Sequence, residues 1–287
     1  MVYPQIDAPL GTNHGIASLA GVLHANGHEL DLMHVSEKYQ SVPSSKEIIG
    51  YIDRTKPGLI GFSAMSQQYD WIAEKSRDIR RVLPEFIQVI GGVHCTMVPD
   101  EVHKSRLFDY VCVGEGDYAL LELMDAIENE KPTQTLANFR SWIGDVPIVN
   151  PVAPFPDLDE LPPLDYNVFD MPAVMKETRG WMGILTSRGC PYKCTYCFNI
   201  EIVEQYIEDG AAKNVKAFLR HFPIDVMMND LIKLKAENPQ INTFIFDDDL
   251  FTLNTEYVIK FCDAYIEHEV NIPFVVNGHV NCFEAPA

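Results

Sequence analysis

Two successive α/β units built on parallel sheets are predicted for this 287-residue chain. Three observations predict them: apolar strand-like runs alternate with amphipathic helical runs, a proline-dense stretch interrupts the series, and a second series resumes after it.

From Gly15 to Asn26 the apolar residues Ile16, Leu19 and Leu23 recur at helical spacing, and the strand-like "HELDLMHV" follows from His28. A helix around Lys46 to Arg54 leads through Pro57-Gly58 into "LIGFS". A longer helix near Tyr69 to Leu83, with Ile72, Ile79 and Leu83 on one face, leads into "FIQVIGG". "YVCVG" from Tyr110 is the next strand, and Leu120, Met124 and Ile127 mark another helix. Alternation at this spacing implies a doubly wound parallel sheet, which binds ligands beyond the carboxyl ends of its strands. Residues 1–130 are therefore expected to form one nucleotide-type binding domain.

Seven prolines lie between Val146 and Pro172, enough to break both helix and ladder hydrogen bonding. Residues 131–180 are expected to be an extended, docked linker. Beyond it, "GILTSRG" from Gly183, "INTFIFDDD" and "IPFVVNG" are strands with helices between them, so residues 181–287 are expected to begin a (β/α) barrel. About 90 residues follow Cys197, whereas an eight-unit barrel needs about 250. The barrel is therefore expected to be partial and the chain a fragment.

Lys and Arg number 22 against 41 Asp and Glu, a net charge of -19 that repels phosphate backbones and disfavours a nucleic-acid partner. No apolar run approaches the roughly 20 residues of a membrane span, and the N-terminus lacks a signal-peptide pattern, so a soluble cytoplasmic protein is expected. The seven cysteines are Cys95, Cys112, Cys190, Cys194, Cys197, Cys262 and Cys282, an odd number in a chain too long to need disulfide staples.

Three of them crowd into "SRGCPYKCTYCFN", a C-x3-C-x2-C spacing on a loop just after a strand. Three thiolates leave one iron of a 4Fe-4S cluster open, and an open metal position is a catalytic one. A structural zinc knuckle would want a fourth protein ligand, and the nearest downstream histidine, His221, lies far along the chain. The motif resembles that of the radical S-adenosylmethionine (SAM) superfamily, C-x3-C-x-Φ-C, with Tyr196 as the aromatic Φ. The resemblance implies that Cys190, Cys194 and Cys197 hold a 4Fe-4S cluster and that Tyr196 neighbours the adenine of SAM. It also implies that the cluster cleaves SAM reductively to a 5′-deoxyadenosyl radical, with the electron coming from a reductase, flavodoxin or ferredoxin. "FIFDDDLFTLN" resembles the acidic strand end of cobalamin-associated branches and puts Asp247, Asp248 and Asp249 at the barrel mouth, where they would meet SAM. A helix N-cap cluster is the plainer reading of any one of them. Asn277 on "VVNG" is placed to reach the same site.

Three loops of the first unit fall at strand ends: "FSAMS", "GGVHCT" and "VGEGD", with Ser63, Ser66 and Thr96 supplying hydroxyls. They resemble the cobalamin-binding domain that precedes the barrel in many radical SAM enzymes. The resemblance implies that Ser63, Gly91 and Gly92 line the slot for the nucleotide tail, with Glu115 and Gly116 beside it. Asp117 is expected to cap the next helix. The cobalt-ligating D-x-H-x-x-G signature is absent. His14 lies in the first loop without a partner aspartate and reads as a helix-start residue.

The reading is a cobalamin-dependent radical SAM enzyme, most often a methyltransferase acting on an unactivated carbon of a small, natural-product-like molecule. The alternatives are a cobalamin-using cyclase or oxidoreductase, and a non-catalytic cobalamin- or metal-binding fragment. Methylthiotransferases need three more cluster cysteines where the first unit has only Cys95 and Cys112.

Overall fold

The computed structural model describes residues 1–38 and 40–282. Its first sheet is made by β1 (Val2–Pro4), β2 (Met33–Val35), β3 (Ile60–Ser63), β4 (Gln88–Gly91) and β5 (Tyr110–Cys112), all parallel in the order β2-β1-β3-β4-β5. The helices between them are α1 (His14–Ala25), α2 (Ser45–Thr55), α3 (Tyr69–Val82), the short α4 (Val93–Met97) and α5 (Pro99–Lys104), and then α6 (Asp117–Glu128). The doubly wound sheet is thus as expected.

Local sequence accounts for the helix starts. Asn13 accepts a hydrogen bond from the Ile16 N–H at the head of α1. Ser44 and Glu47 close a reciprocal capping box on α2. Strand residues alternate between two cores: Ile60, Phe62 and Ile90 pack with the helix α2 and α3 side chains Ile48, Ile52, Ile72 and Ile79. Val89 and Cys112 face Leu23 of α1 and Leu120 and Leu123 of α6.

The sheet runs on past residue 130. A hairpin of β6 (Phe139–Ile143) and β7 (Val146–Val149), turning at Gly144 with φ of 58°, adds two antiparallel strands to β5 inside the stretch expected to be linker. Pro147 belongs to β7, which lies at the sheet edge, the one place a ladder tolerates proline. From Asn150 the chain is extended and docked, burying Val152, Leu158, Leu161, Tyr166 and Phe169 before α7 (Met171–Glu177).

The second sheet is parallel, in the order β12 (Phe274–Val276), β11 (Thr243–Phe246), β8 (Trp181–Ile184). A two-stranded ribbon of β9 (Ser187–Arg188) and β10 (Arg220–His221) stands beside it, with α8 (Asn199–Glu208), α9 (Ile224–Glu237) and α10 (Thr255–Glu267) as the connecting helices. Asp248, just beyond β11, is fully buried. It accepts hydrogen bonds from the Thr186 N–H and hydroxyl, both at 3.0 Å, and from the Ser187 hydroxyl. This knot ties the carboxyl ends of β8 and β11 together. One large core runs from Ile16 and Val22 of α1 through Leu158 and Tyr166 to Met182, Phe244 and Phe246, so both sheets grow from shared apolar contacts. Among the described residues no helix is long and apolar enough to cross a membrane.

Two stability tests follow from this packing. A Cβ at Gly21 would stand 2.2 Å from the Pro163 carbonyl oxygen, so Gly21→Ala must push the docked segment off α1. Despite the better helix propensity of alanine, it should cost about 1–3 kcal/mol of stability; a thermal midpoint that holds or rises would show that the segment does not lie on α1. Asp248→Ala strands three buried donors and should cost about 3 kcal/mol in a denaturant titration, and a loss below about 1 kcal/mol would mean that the knot contributes little.

Candidate functional site

A cleft of about 410 Å³ opens at the carboxyl ends of the first sheet. Its floor is the sheet face carrying Gly61, Ser63, Val89, Gly91 and Cys112, and its roof is Ile16 and Leu19 of α1 with Leu120 of α6. The result is a slit between sheet and helices. Side chains alternate along a strand, so Gly61 with Ser63, and Val89 with Gly91, project into the same slit. Ser63 and Gly91 are direct neighbours in the ladder. Removing side chains at positions 61 and 91 is what leaves the slit open: a Cβ at Gly91 would meet only Cys112 Cβ, at 3.4 Å.

Gly92 has a different task. Its φ is 98°, and a Cβ there would lie 2.8 Å from the Ala64 carbonyl oxygen and 2.9 Å from the Ala64 nitrogen. It lets the chain turn tightly into α4. All five residues expected on this side, Ser63, Gly91, Gly92, Glu115 and Gly116, line the one cleft. Ser66 is occupied with His94 Nδ1 at 3.1 Å, and Thr96 accepts from the Gly114 N–H at 3.0 Å.

Leu185 and Arg188 of the second unit complete the cleft wall, two residues before Cys190. The cysteine loop springs from β9 and ends in α8. Gly189, with φ of 96°, is squeezed against the Phe218 carbonyl, so the loop leaves the ribbon at a position only glycine fits. Cys190, Cys194 and Cys197 are half-buried on this one loop, and the Cys197 N–H bonds to the Cys194 carbonyl at 3.0 Å. Burial pushes the Cys190 thiol up, and the Asp249 carboxylate nearby adds to the shift. Three accessible sulfurs on a short loop, with no fourth protein ligand among them, suit a cluster that keeps one iron open. Tyr196 stands 91% exposed, with its hydroxyl against the Cys194 thiol. Cys95 and Cys112 are buried, and burial pushes the Cys112 thiol up to about 12, which disfavours the thiolate a second cluster would require.

The three acidic residues after β11 part ways. Asp248 turns inward into the knot. Asp249 takes a hydrogen bond from Asn199 Nδ2 at 2.8 Å and sits over the start of the cysteine loop, its carboxyl raised by burial against the Asn199 and Gly189 hydrogen bonds. Asp247 is exposed and bonds His14 Nε2 at 3.1 Å, while His14 Nδ1 lies 2.8 Å from the Tyr166 hydroxyl. A carboxylate can only accept, so Nε2 carries a proton towards Asp247. None of the three caps a helix; Asn254 caps α10. Asn277 is exposed and braces the strand end, donating to the Asp248 carbonyl at 3.2 Å and accepting from the Phe251 N–H. His14 does begin α1, but its partner aspartate comes from 233 residues downstream, beyond the reach of local motif reading.

Asp117 does not cap α6 either. Gly116 is the cap residue, and the buried Asp117 carboxylate goes to Arg188 and to the Ser18 hydroxyl. Arg188 also bonds Glu115 at 2.7 Å, and Arg220 binds both Glu115 oxygens. Burial works against the Arg188 cation, but Asp117 and Glu115 outweigh it and raise its pKa; the same pairing lowers that of Asp117 against its own burial. In the sequence Arg188 stands only as a neighbour of the cysteines in "SRGCPYKCTYCFN", and nothing local marks Arg220.

Residues 8–124 match the B12 binding domain family. The chain is 23% identical over 274 residues to an anaerobic magnesium-protoporphyrin IX monomethyl ester cyclase of Rubrivivax gelatinosus, covering 92% of this chain and 46% of that one. It is 24% identical to an uncharacterized methyltransferase of Pyrococcus horikoshii, covering 83% and 49%. The chain thus spans about half the length of these relatives. Among solved structures it superposes on the cobalamin-dependent SAM radical enzyme OxsB with a TM-score of 0.78 at 17% identity, covering 99% of this chain and 39% of that one. The radical SAM methyltransferase TsrM from Kitasatospora setae gives 0.68 at 16%, covering 93% and 51%. The chain therefore carries a stretch, residues 8–124, that matches the B12 binding domain family, and it shares the fold of the cobalamin-dependent radical SAM enzymes.

Proposed function

We propose that the chain forms the cofactor-holding part of a cobalamin-dependent radical SAM enzyme, with Cys190, Cys194 and Cys197 as cluster ligands and the slit beside Ser63 and Gly91 as the seat of the cobalamin nucleotide tail. One observation carries this reading: the wall of the slit passes, through Leu185 and Arg188, directly into the cysteine loop. Two cofactor sites built at strand ends of two sheets thereby open onto one junction.

Bound there, the three cofactors would supply reductive cleavage of SAM and a transferable methyl group. The protein's part is placement. The slit excludes water from an inserted ring system through Ile16, Leu19, Val89 and Leu120. Asp247 and Asp249 present acceptor oxygens at the barrel mouth, suited to the amino or hydroxyl groups of SAM, and the exposed Tyr196 ring would close over an adenine. Asp248 acts by holding the strand ends in place. The cleft offers no free imidazole to cobalt, since both nitrogens of His14 are engaged.

The reaction we assign is methylation of an unactivated carbon in a small molecule, with a flavodoxin- or ferredoxin-type protein as electron source. Ring closure is a second reading, favoured by the likeness to the cyclase of Rubrivivax gelatinosus over 92% of this chain. Mass analysis of products separates them, because methylation adds one carbon and ring closure adds none.

After anaerobic reconstitution the chain should hold about four irons with matching sulfide, and Cys194→Ala should lose most of both. Unchanged iron and sulfide in that variant would remove the cluster assignment. For the slit the informative position is Gly91, because a side chain at Gly92 strains the backbone whether or not anything binds. Gly91→Leu should weaken hydroxocobalamin binding at least about tenfold in a visible titration, a loss of about 1.4 kcal/mol. Wild-type affinity in Gly91→Leu would place the tail elsewhere.

A further inference from the structure

The cysteine loop is held at both ends by one residue of the other sheet. Upstream, Arg188 donates to the Glu115 carboxylate at 2.7 Å, two positions before Cys190. Downstream, α8 begins two residues after Cys197, and its Tyr206 hydroxyl accepts the Glu115 backbone N–H at 2.8 Å. Arg220, on the strand paired with Arg188, grips the same carboxylate and also donates to the Pro156 carbonyl at 2.8 Å.

Close packing removes the slack from this arrangement. Phe155 stacks on the Tyr206 ring at 3.7 Å, and the Arg220 guanidinium lies over Phe155 at 4.7 Å. Gly114, with φ of 81°, has no room for a Cβ, which would stand 2.4 Å from the Tyr206 hydroxyl. Glu115 and Arg188 themselves form part of the cleft wall. A ligand that orders the 113–117 loop must therefore also order the two flanks of the cysteine loop.

We propose that Glu115, clamped by Arg188, Arg220 and Tyr206, is a positioning residue that couples occupancy of the cobalamin cleft to the geometry of the cysteine loop. The coupling rests on the cofactor assignment above. It requires that hydroxocobalamin tighten residues 189–199 even before any iron is present. Linkage then makes it reciprocal: an ordered loop favours the ligand by the same factor.

The test uses the full chain free of iron. Hydrogen–deuterium exchange across residues 189–199 is measured with and without saturating hydroxocobalamin, and binding is followed separately by visible titration. In the wild type the cobalamin should slow exchange in this segment about fivefold or more. Arg220 lies outside the cleft wall, so Arg220→Gln should still bind hydroxocobalamin while its protection response falls below about twofold. Arg220→Lys, which keeps a cation facing Glu115, should recover part of the response and serves as the readable variant where Arg220→Gln fails to fold. Cobalamin binding with no change in 189–199 in the wild type, or an undiminished response in Arg220→Gln, would overturn the coupling while leaving the cofactor assignment standing. Failure of the wild type to bind hydroxocobalamin in the titration would overturn both.

Discussion

Arg188 and Arg220 from one ribbon meet Glu115 and Asp117 at the junction of β5 and α6, with all four side chains largely removed from water. An ion taken out of water without its partner costs several kcal/mol, and the Coulomb gain repays this only when geometry is close and the remaining hydrogen-bonding capacity is filled. Here it is filled: Ser18, Pro156 and a second carboxylate complete the arginines. Such a network adds little net stability over an apolar contact of the same size, yet it tolerates few alternative placements. It sets where the ribbon lies on the first sheet, and the ribbon sets where the cysteines emerge.

The apolar cores allow this precision without supplying it. The shared core from Ile16 to Phe246 joins the two units by burial, which is nondirectional and would accept small slips. Directional contacts remove the slips at three places: the Asp248 knot between β8 and β11, the pair of His14 with Asp247, and the clamp on Glu115. Each joins segments far apart in the chain, and each lies at the carboxyl ends of strands. The exposed groups of the site, Tyr196 and Asp247 among them, are thus carried on a frame fixed by buried polar contacts.

What could be read from the sequence divides along the same line. Short apolar runs marked β3, β4, β5, β8, β11 and β12, because the burial of parallel strands between helices is written locally in each run. The C-x3-C-x2-C loop was legible for the same reason, since its three cysteines are close in sequence. The β6–β7 hairpin was missed because Pro147 reads as a breaker, because the buried alternate positions of β6 include the polar Ser141, and because Val146 and Val149 of the edge strand β7 stay exposed. The partners of Glu115, Asp117 and His14 lie 71 to 233 residues away and carry no local pattern. Asp117 at a helix start looked like a cap because that is the commonest local use of an aspartate there; a buried guanidinium competed for it and won.

The run Asp247-Asp248-Asp249 shows how three identical residues acquire three tasks. At the end of β11 the side chains still alternate, so the middle carboxylate is forced inward while its neighbours face the open mouth. Inward burial raises the Asp248 carboxyl, with the Ser187 and Thr186 hydrogen bonds opposing the shift, and one of its oxygens has no partner among the described residues. Burial makes the ionised form of such a group costly, and it persists because it satisfies the Thr186 and Ser187 donors at the strand ends. The two outward carboxylates are held by long-range donors, His14 and Asn199, which fix their direction and leave acceptor capacity free, although burial still raises the Asp249 carboxyl. The inward aspartate is therefore the structural member of the trio: it ties the ends of β8 and β11 together and so fixes the strand end from which the outer pair projects.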